Sequence, residues 1–168
     1  NTSHLIKEMF IGTRDEFQYF ECANCGCLQI KDVPIHLENY YPKDYYSFMF
    51  KKRNKLKRFF GRKRDSYIIF NKGLIGKVIN YFAPNPFFKK IAKTNIDFDK
   101  KKTNILDVGC GSGIILQGFA DMGFEQLTGV DPFIEKDIEI KPVKIYKKYL
   151  EELSLDEQYD LIIFNHSF

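Results

Sequence analysis

Residues 107–113 read Asp-Val-Gly-Cys-Gly-Ser-Gly, with the apolar pair Ile105 and Leu106 before them and a helical apolar pattern from Ile114 after them. That order predicts a strand, a glycine-rich turn and a helix, because glycines at 109, 111 and 113 admit left-handed and crowded backbone. A ligand can then lie against the main chain at the positive end of the helix. A chain carrying such a unit is expected to be α/β.

Eighteen residues past Gly113, the apolar stretch Leu127 to Val130 ends in Asp131, a carboxylate placed to accept both hydroxyls of a ribose. The pair of features predicts a nucleoside ligand. A dinucleotide fingerprint, Gly-x-Gly-x-x-Gly, fails here, because counting from Gly109 its third glycine is Ile114. Asp107 at the mouth of the turn also disfavours a pyrophosphate, which it would repel, and favours an ammonium group, which it would attract. A nicotinamide (NAD) oxidoreductase is thus the weaker enzyme reading.

Asp-x-Gly-x-Gly-x-Gly with an acid at the end of the next strand resembles the class I S-adenosylmethionine-dependent methyltransferases, over roughly Asn104 to Phe168. The resemblance implies that Asp107 holds the methionine amino group, that Gly109, Gly111 and Gly113 make room for the methionine part and ribose, and that Asp131 takes the ribose hydroxyls. Cys110 lies inside the cofactor loop, and Pro132 follows Asp131 where the chain leaves its strand. Tyr149 and Leu150 fall where the family places residues beside the adenine. Val143 to Tyr146 reads as a short third strand and Tyr159 to Phe164 as a buried fourth. Beyond it, Asn165 and His166 occupy the place of polar groups near the transferred methyl. His166 is a candidate general base, its imidazole titrating near working pH; the plainer reading is a structural histidine at a strand end. The family's sheet has seven strands and this sequence reaches about four, so an incomplete Rossmann-like domain, part of a longer chain, is expected.

Upstream, Glu16 to Glu21 alternates as a strand does, and Cys22-Ala-Asn-Cys25-Gly26-Cys27 forms a tight turn before Leu28 to Ile30. Cys-x-x-Cys-Gly at a hairpin tip is the knuckle of zinc ribbons, aiming the Cys22 and Cys25 thiolates at one metal. A zinc ion needs two further ligands, which His4, His36 and Cys27 do not supply at ligand spacing, so an upstream pair is expected in the intact protein. A cysteine knuckle before a methyltransferase domain, joined by the aromatic segment Tyr40-Tyr-Pro-Lys-Asp-Tyr-Tyr46, resembles bacterial methyltransferases of sugar and surface-polysaccharide synthesis. That resemblance implies a nucleotide-linked sugar or glycan acceptor, methylated at oxygen or carbon.

The expected organisation is a knuckle segment over 1–38, an aromatic and basic helical connector over 39–100, and the cofactor domain over 101–168. Lys51 to Arg64 holds nine Lys or Arg and no acid. Such a run could track phosphates or anionic headgroups, but Leu56, Phe59 and Phe60 are spaced to dock a helix on a core, leaving its cations as the wet face. Leu74, Ile75, Val78, Ile79, Tyr81 and Phe82 predict a short packing helix ended by Pro84-Asn-Pro86. A net charge of +4 is too small to argue for nucleic acid by itself, and a zinc-knuckle, basic-stripe nucleic-acid module is the alternative from another functional class. No run of 18 apolar residues and no leader is present, and four bunched cysteines fit a reduced compartment, so a cytoplasmic location is expected.

Overall fold

The computed structural model describes residues 2–40, 54–154 and 156–165. The chain divides into two compact units, Asn1–Pro42 and Lys43–Phe168.

The first unit is a three-stranded antiparallel sheet, β1 (Thr2–Lys7), β2 (Glu16–Glu21) and β3 (Leu28–Ile30), in that order. The expected hairpin is its β2–β3 half, in register Tyr19 with Ile30 and Glu21 with Leu28. Strand β1, which the sequence pattern did not announce, pairs along the whole of β2 from Thr2 opposite Glu21 to Lys7 opposite Glu16. The β1–β2 connection is held by one carboxylate. Glu8 accepts the backbone N–H groups of Phe10, Ile11, Gly12 and Thr13 at 2.5–2.9 Å. Desolvation pulls its pKa upward, but the four donors prevail and hold the carboxyl down at about 2.

The second unit begins its described part with three helices, α1 (Lys55–Phe70), α2 (Leu74–Phe82) and α3 (Pro86–Ile91). Asn54 caps α1 by accepting the Leu56 N–H at 2.9 Å, and Asn85 caps α3 the same way from Phe87 at 3.2 Å with Pro86 opening the helix. There follow β4 (Asn104–Val108), α4 (Ile114–Met122), β5 (Gln126–Val130), β6 (Ile138–Ile140), β7 (Val143–Tyr146) and β8 (Leu161–Phe164). The sheet order is β6-β7-β5-β4-β8, parallel throughout except that β6 runs antiparallel to β7. This is the mostly parallel, Rossmann-like sheet expected, with β6 added at one edge. β8 starts at Leu161 because Asp160 turns aside to accept the Asn104 N–H at 2.8 Å, closing the lower end of β4.

Helix α4 covers one face of the sheet with Leu116, Phe119 and Met122, and Gly123 ends it in the left-handed conformation. An aromatic cluster fills the space beneath: Phe119 meets Phe88 and Phe124 edge to face at 5.0 and 5.3 Å, and Phe70 stacks on Phe124. The connector helices do not dock as their apolar spacing suggests. Leu56, Phe59 and Phe60 are exposed, and α1 meets the core through Ile68, Ile69 and Phe70 nearer its end. Helix α2 departs further, since Leu74, Ile75, Val78, Tyr81 and Phe82 all lie exposed. The cause is Gly76, the buried point of α2, where an added Cβ would stand 2.2 Å from the Lys63 carbonyl oxygen and 2.6 Å from Tyr67 Cβ. Backbones this close fix the rotation of α2 and turn its apolar arc away from α1.

Candidate functional site

Parallel pairing aligns the ends of the strands. Val108 of β4 lies beside Val130 of β5 and Phe164 of β8, and Val130 lies beside Tyr146 of β7. The glycine turn, Asp131 and Asn165 therefore all emerge at one edge, the carboxyl end of the sheet. The chain leaves β4 toward β5 on one side and returns as β8 on the other, so this edge is also where strand order reverses. Open α/β sheets bind ligands in the crevice such a reversal creates.

The turn is tied to the neighbouring strand. Gly109 N–H donates to the Val130 carbonyl at 2.8 Å, and Gly111 N–H donates to Asp131 Oδ2 at 2.8 Å. Asp131 Oδ1 accepts the Phe133 N–H at 2.9 Å, and its own N–H donates to Tyr146 carbonyl oxygen. Asp131 is thus a buried bracket between the β4 turn and the β5 exit; each carboxylate oxygen has one accepting position left after its backbone bond. Gly113 opens α4 at φ 74° with no side-chain cap, leaving backbone donors at the helix start. A Cβ there would stand 2.5 Å from Ile145 Cδ1, so this glycine serves close packing of the turn on β7. Gly129, which no motif singled out, does similar work for Cys110, whose Sγ would be 2.6 Å from a Cβ at that position.

Two buried carboxylates share the site. Asp107, 1% exposed, lies at the end of β4, and its Oδ2 has no partner among the described residues. Burial, and then the charge of Asp131, push its pKa up to about 7. The same burial, with the charges of Asp107 and Asp131, raises the Cys110 thiol, which stays protonated. Ser112 Oγ is a second buried atom without a partner among the described residues, inside the turn itself. Its signal in the sequence was its position between two glycines. Unpartnered buried polar groups are costly, and a site lined with two of them, one anionic, is built to be completed by a donor-bearing, cationic ligand.

Pro132 follows the bracket and is half-buried, while Phe133 meets Tyr149 edge to face at 6.5 Å, which carries the segment around Leu150 toward the β5 exit. Leu150 is 40% exposed. Asn165 is exposed just past β8. His166 lies outside the described residues.

The cysteine turn is built as its spacing predicts: Cys22 N–H donates to the Cys27 carbonyl, and Gly26 N–H to the Cys22 carbonyl, at 2.9 and 2.8 Å. The backbone N–H groups of Cys25 and Asn24, then the Cys25 thiol, lower the pKa of Cys22, favouring its thiolate. Yet among the described residues no three His, Cys, Asp or Glu side chains converge on a point, and all four cysteines are free thiols. Two thiols are half of a structural zinc set, so the residues described do not fit a zinc ion.

Residues 41–168 match the family model described as a methyltransferase domain. The chain is 29% identical over 111 residues to the malonyl-[acyl-carrier protein] O-methyltransferase of Priestia megaterium, a match covering 62% of this chain and 36% of that protein. It is 33% identical over 88 residues to the ubiquinone biosynthesis O-methyltransferase of Actinobacillus pleuropneumoniae, covering 47% of this chain and 35% of that one. It spans about a third of the length of these curated relatives. No solved structure matches it.

Proposed function

The chain belongs to the methyltransferase-domain family, and on that premise we propose that it binds S-adenosylmethionine at the carboxyl edge of its parallel sheet and serves methyl transfer to a small acceptor. The observation that carries this reading is the buried, unpartnered carboxylate of Asp107 beside Asp131. Two clustered acids with no cation paired to them among the described residues disfavour a phosphate-bearing ligand and match one that brings an ammonium group and ribose hydroxyls. When bound, S-adenosylmethionine supplies a methyl group already activated by its positive sulfur.

In this reading Asp107 receives the ammonium and Asp131 offers its remaining acceptor positions to the ribose. The turn from Gly109 to Gly113 holds the ligand against main chain rather than side chains. Tyr149, Leu150 and Pro132 form the apolar side on which a base can lie. The protein's contribution to the reaction is orientation and exclusion of water, since an activated methyl needs an in-line nucleophile more than a proton relay. Both relatives are named for methylation at oxygen, which supports an oxygen nucleophile. A sugar or glycan as its bearer rests on the cysteine turn and tyrosine-rich segment ahead of the domain.

Calorimetric titration with S-adenosylhomocysteine and with NAD tests the reading. Saturable binding of S-adenosylhomocysteine alone is expected, weakened roughly 100-fold in Asp131→Ala because a buried acceptor of charge-assisted bonds is worth ~2–3 kcal/mol. Saturable binding of NAD, or affinity for S-adenosylhomocysteine unchanged in Asp131→Ala, would sink it.

A further inference from the structure

Helix α2 wears its amphipathicity inside out. Facing inward it has Gly76, buried against α1, and Asn80, whose Oδ1 is buried without a partner among the described residues. At 100° per residue, Leu74, Ile75, Val78, Tyr81 and Phe82 fall on the opposite arc, and all five are exposed, at 77, 54, 51, 81 and 79%. Single exposed apolar residues need no explanation, but five on one arc of a nine-residue helix form a contiguous patch, and such patches mark interaction surfaces.

The flanks of this arc are cationic. Lys72 precedes the helix and Lys77 sits at its side, both exposed. Beside Leu74 and Ile75 the surface dips into a cleft lined also by Arg62, Lys63, Lys72 and Lys100. The acid lining that cleft, Asp121, is bridged to Arg58, with Arg58 Nε 3.1 Å from its Oδ1. Helix α1 itself carries Lys55, Lys57, Arg58, Arg62, Lys63 and Arg64.

We propose that α2 is an interfacial helix that docks this protein on an anionic lipid surface. Its outward arc enters the boundary between headgroups and acyl chains, and Lys72, Lys77 and the Arg62–Lys63 pair meet the headgroup phosphates. Both halves of the proposal are required by the same facts: apolar residues supply burial, cations at their rim supply attraction, and neither alone gives stable attachment of so short a helix. A second copy of the chain is a poorer occupant, because two-fold pairing through α2 sets the same basic flank against itself. A nucleic acid would use the cations and leave the five apolar side chains in water. None of the helices described is long and apolar enough to span a bilayer, so the attachment is to the surface.

The chain has no tryptophan, so Phe82→Trp installs a single indole on the outward arc. On addition of vesicles of equal phosphatidylcholine and phosphatidylglycerol, its emission is expected to shift to the blue, with no shift on phosphatidylcholine alone. Co-sedimentation of the unsubstituted chain with the mixed vesicles is expected to fall at least about tenfold in Lys72→Glu/Lys77→Glu, and similarly in Tyr81→Ser/Phe82→Ser. All substituted positions are exposed, and circular dichroism confirms that the fold is kept. Added salt weakens the binding as it screens the headgroups. Failure to bind the mixed vesicles, binding untouched by either double variant, or a dimer in light scattering that Tyr81→Ser/Phe82→Ser abolishes without any vesicle binding, overturns the proposal. The readout needs no cofactor, so it stands or falls separately from methyl transfer.

Discussion

The glycine turn after β4 and the cysteine turn after β2 are both tight, both follow a strand, and both direct polar backbone toward a candidate ligand. They differ in what surrounds them. The cysteine turn connects two neighbours in sequence, so its ligating groups come from Cys22 and Cys25 alone, and nothing else among the described residues joins them. The glycine turn sits between parallel strands, and parallel pairing brings in Asp131, twenty residues from Gly111, as a bracket across the crevice. A local motif makes half a site; topology supplies the other half.

Substituting a glycine in each turn makes that difference measurable, and gives the largest expected effect. Gly113 and Gly26 both have positive φ, 74° and 69°, so an alanine costs each about 1–2 kcal/mol of left-handed strain. At Gly26 nothing lies within 4 Å of the new Cβ, whereas at Gly113 it meets the side chain of Ile145, itself 2% exposed, which must shift. Gly113→Ala is therefore expected to lose about 4 kcal/mol in denaturant unfolding, the strain plus an overpacking cost, and Gly26→Ala about 1 kcal/mol. Equal losses would mean that the glycine turn is no more tightly embedded than the cysteine turn.

Asp107 gives the next effect, and it has the opposite sign. Its carboxyl is raised from an ordinary 3.8 to about 7 by burial and by Asp131, so between those values the folded protein holds a proton that the unfolded chain has released. Stability from this group is full below about 4 and is lost as pH rises through about 7. Asp107→Asn removes that slope, and without ligand the variant is expected to be about 4 kcal/mol more stable than the parent at pH 8 and nearly level with it near pH 4. The same variant should bind S-adenosylhomocysteine more weakly. Thermal melts across pH, run with and without the ligand, read both arms. Stabilisation without loss of affinity would remove Asp107 from the binding site.

These contrasts also explain what was legible in the sequence. The βα unit could be read because its signals are local: a strand, glycines at 109, 111 and 113, and a helix stopped by Gly123. The bracket between Asp131 and Gly111 could not, since it depends on which strands become neighbours. Strand β1 carries no strong alternation and is specified by its partner β2, which it follows for six residues. The exposed arc of α2 was misread as a packing face because apolar spacing defines a face without saying which way it points. Gly76 decides that, through a backbone contact with Lys63 that no periodicity encodes.

The smallest effect is expected at the cysteine turn. Cys25 is exposed and Cys22 half-buried, and the turn closes through backbone hydrogen bonds that involve neither sulfur. That backbone closure does not draw on the thiols, whereas the fold of a zinc ribbon depends on four ligand bonds. A strong chelator should leave the melting temperature of this chain unchanged, and Cys25→Ser should shift it by no more than a few degrees, since exposed substitutions stay within about 0.5 kcal/mol. A melting temperature that collapses with chelator and recovers with zinc would show that the turn is half of a real site whose other ligands come from a second chain or from residues outside those described. That result would erase the contrast between the two turns, because each would then be completed from a distance.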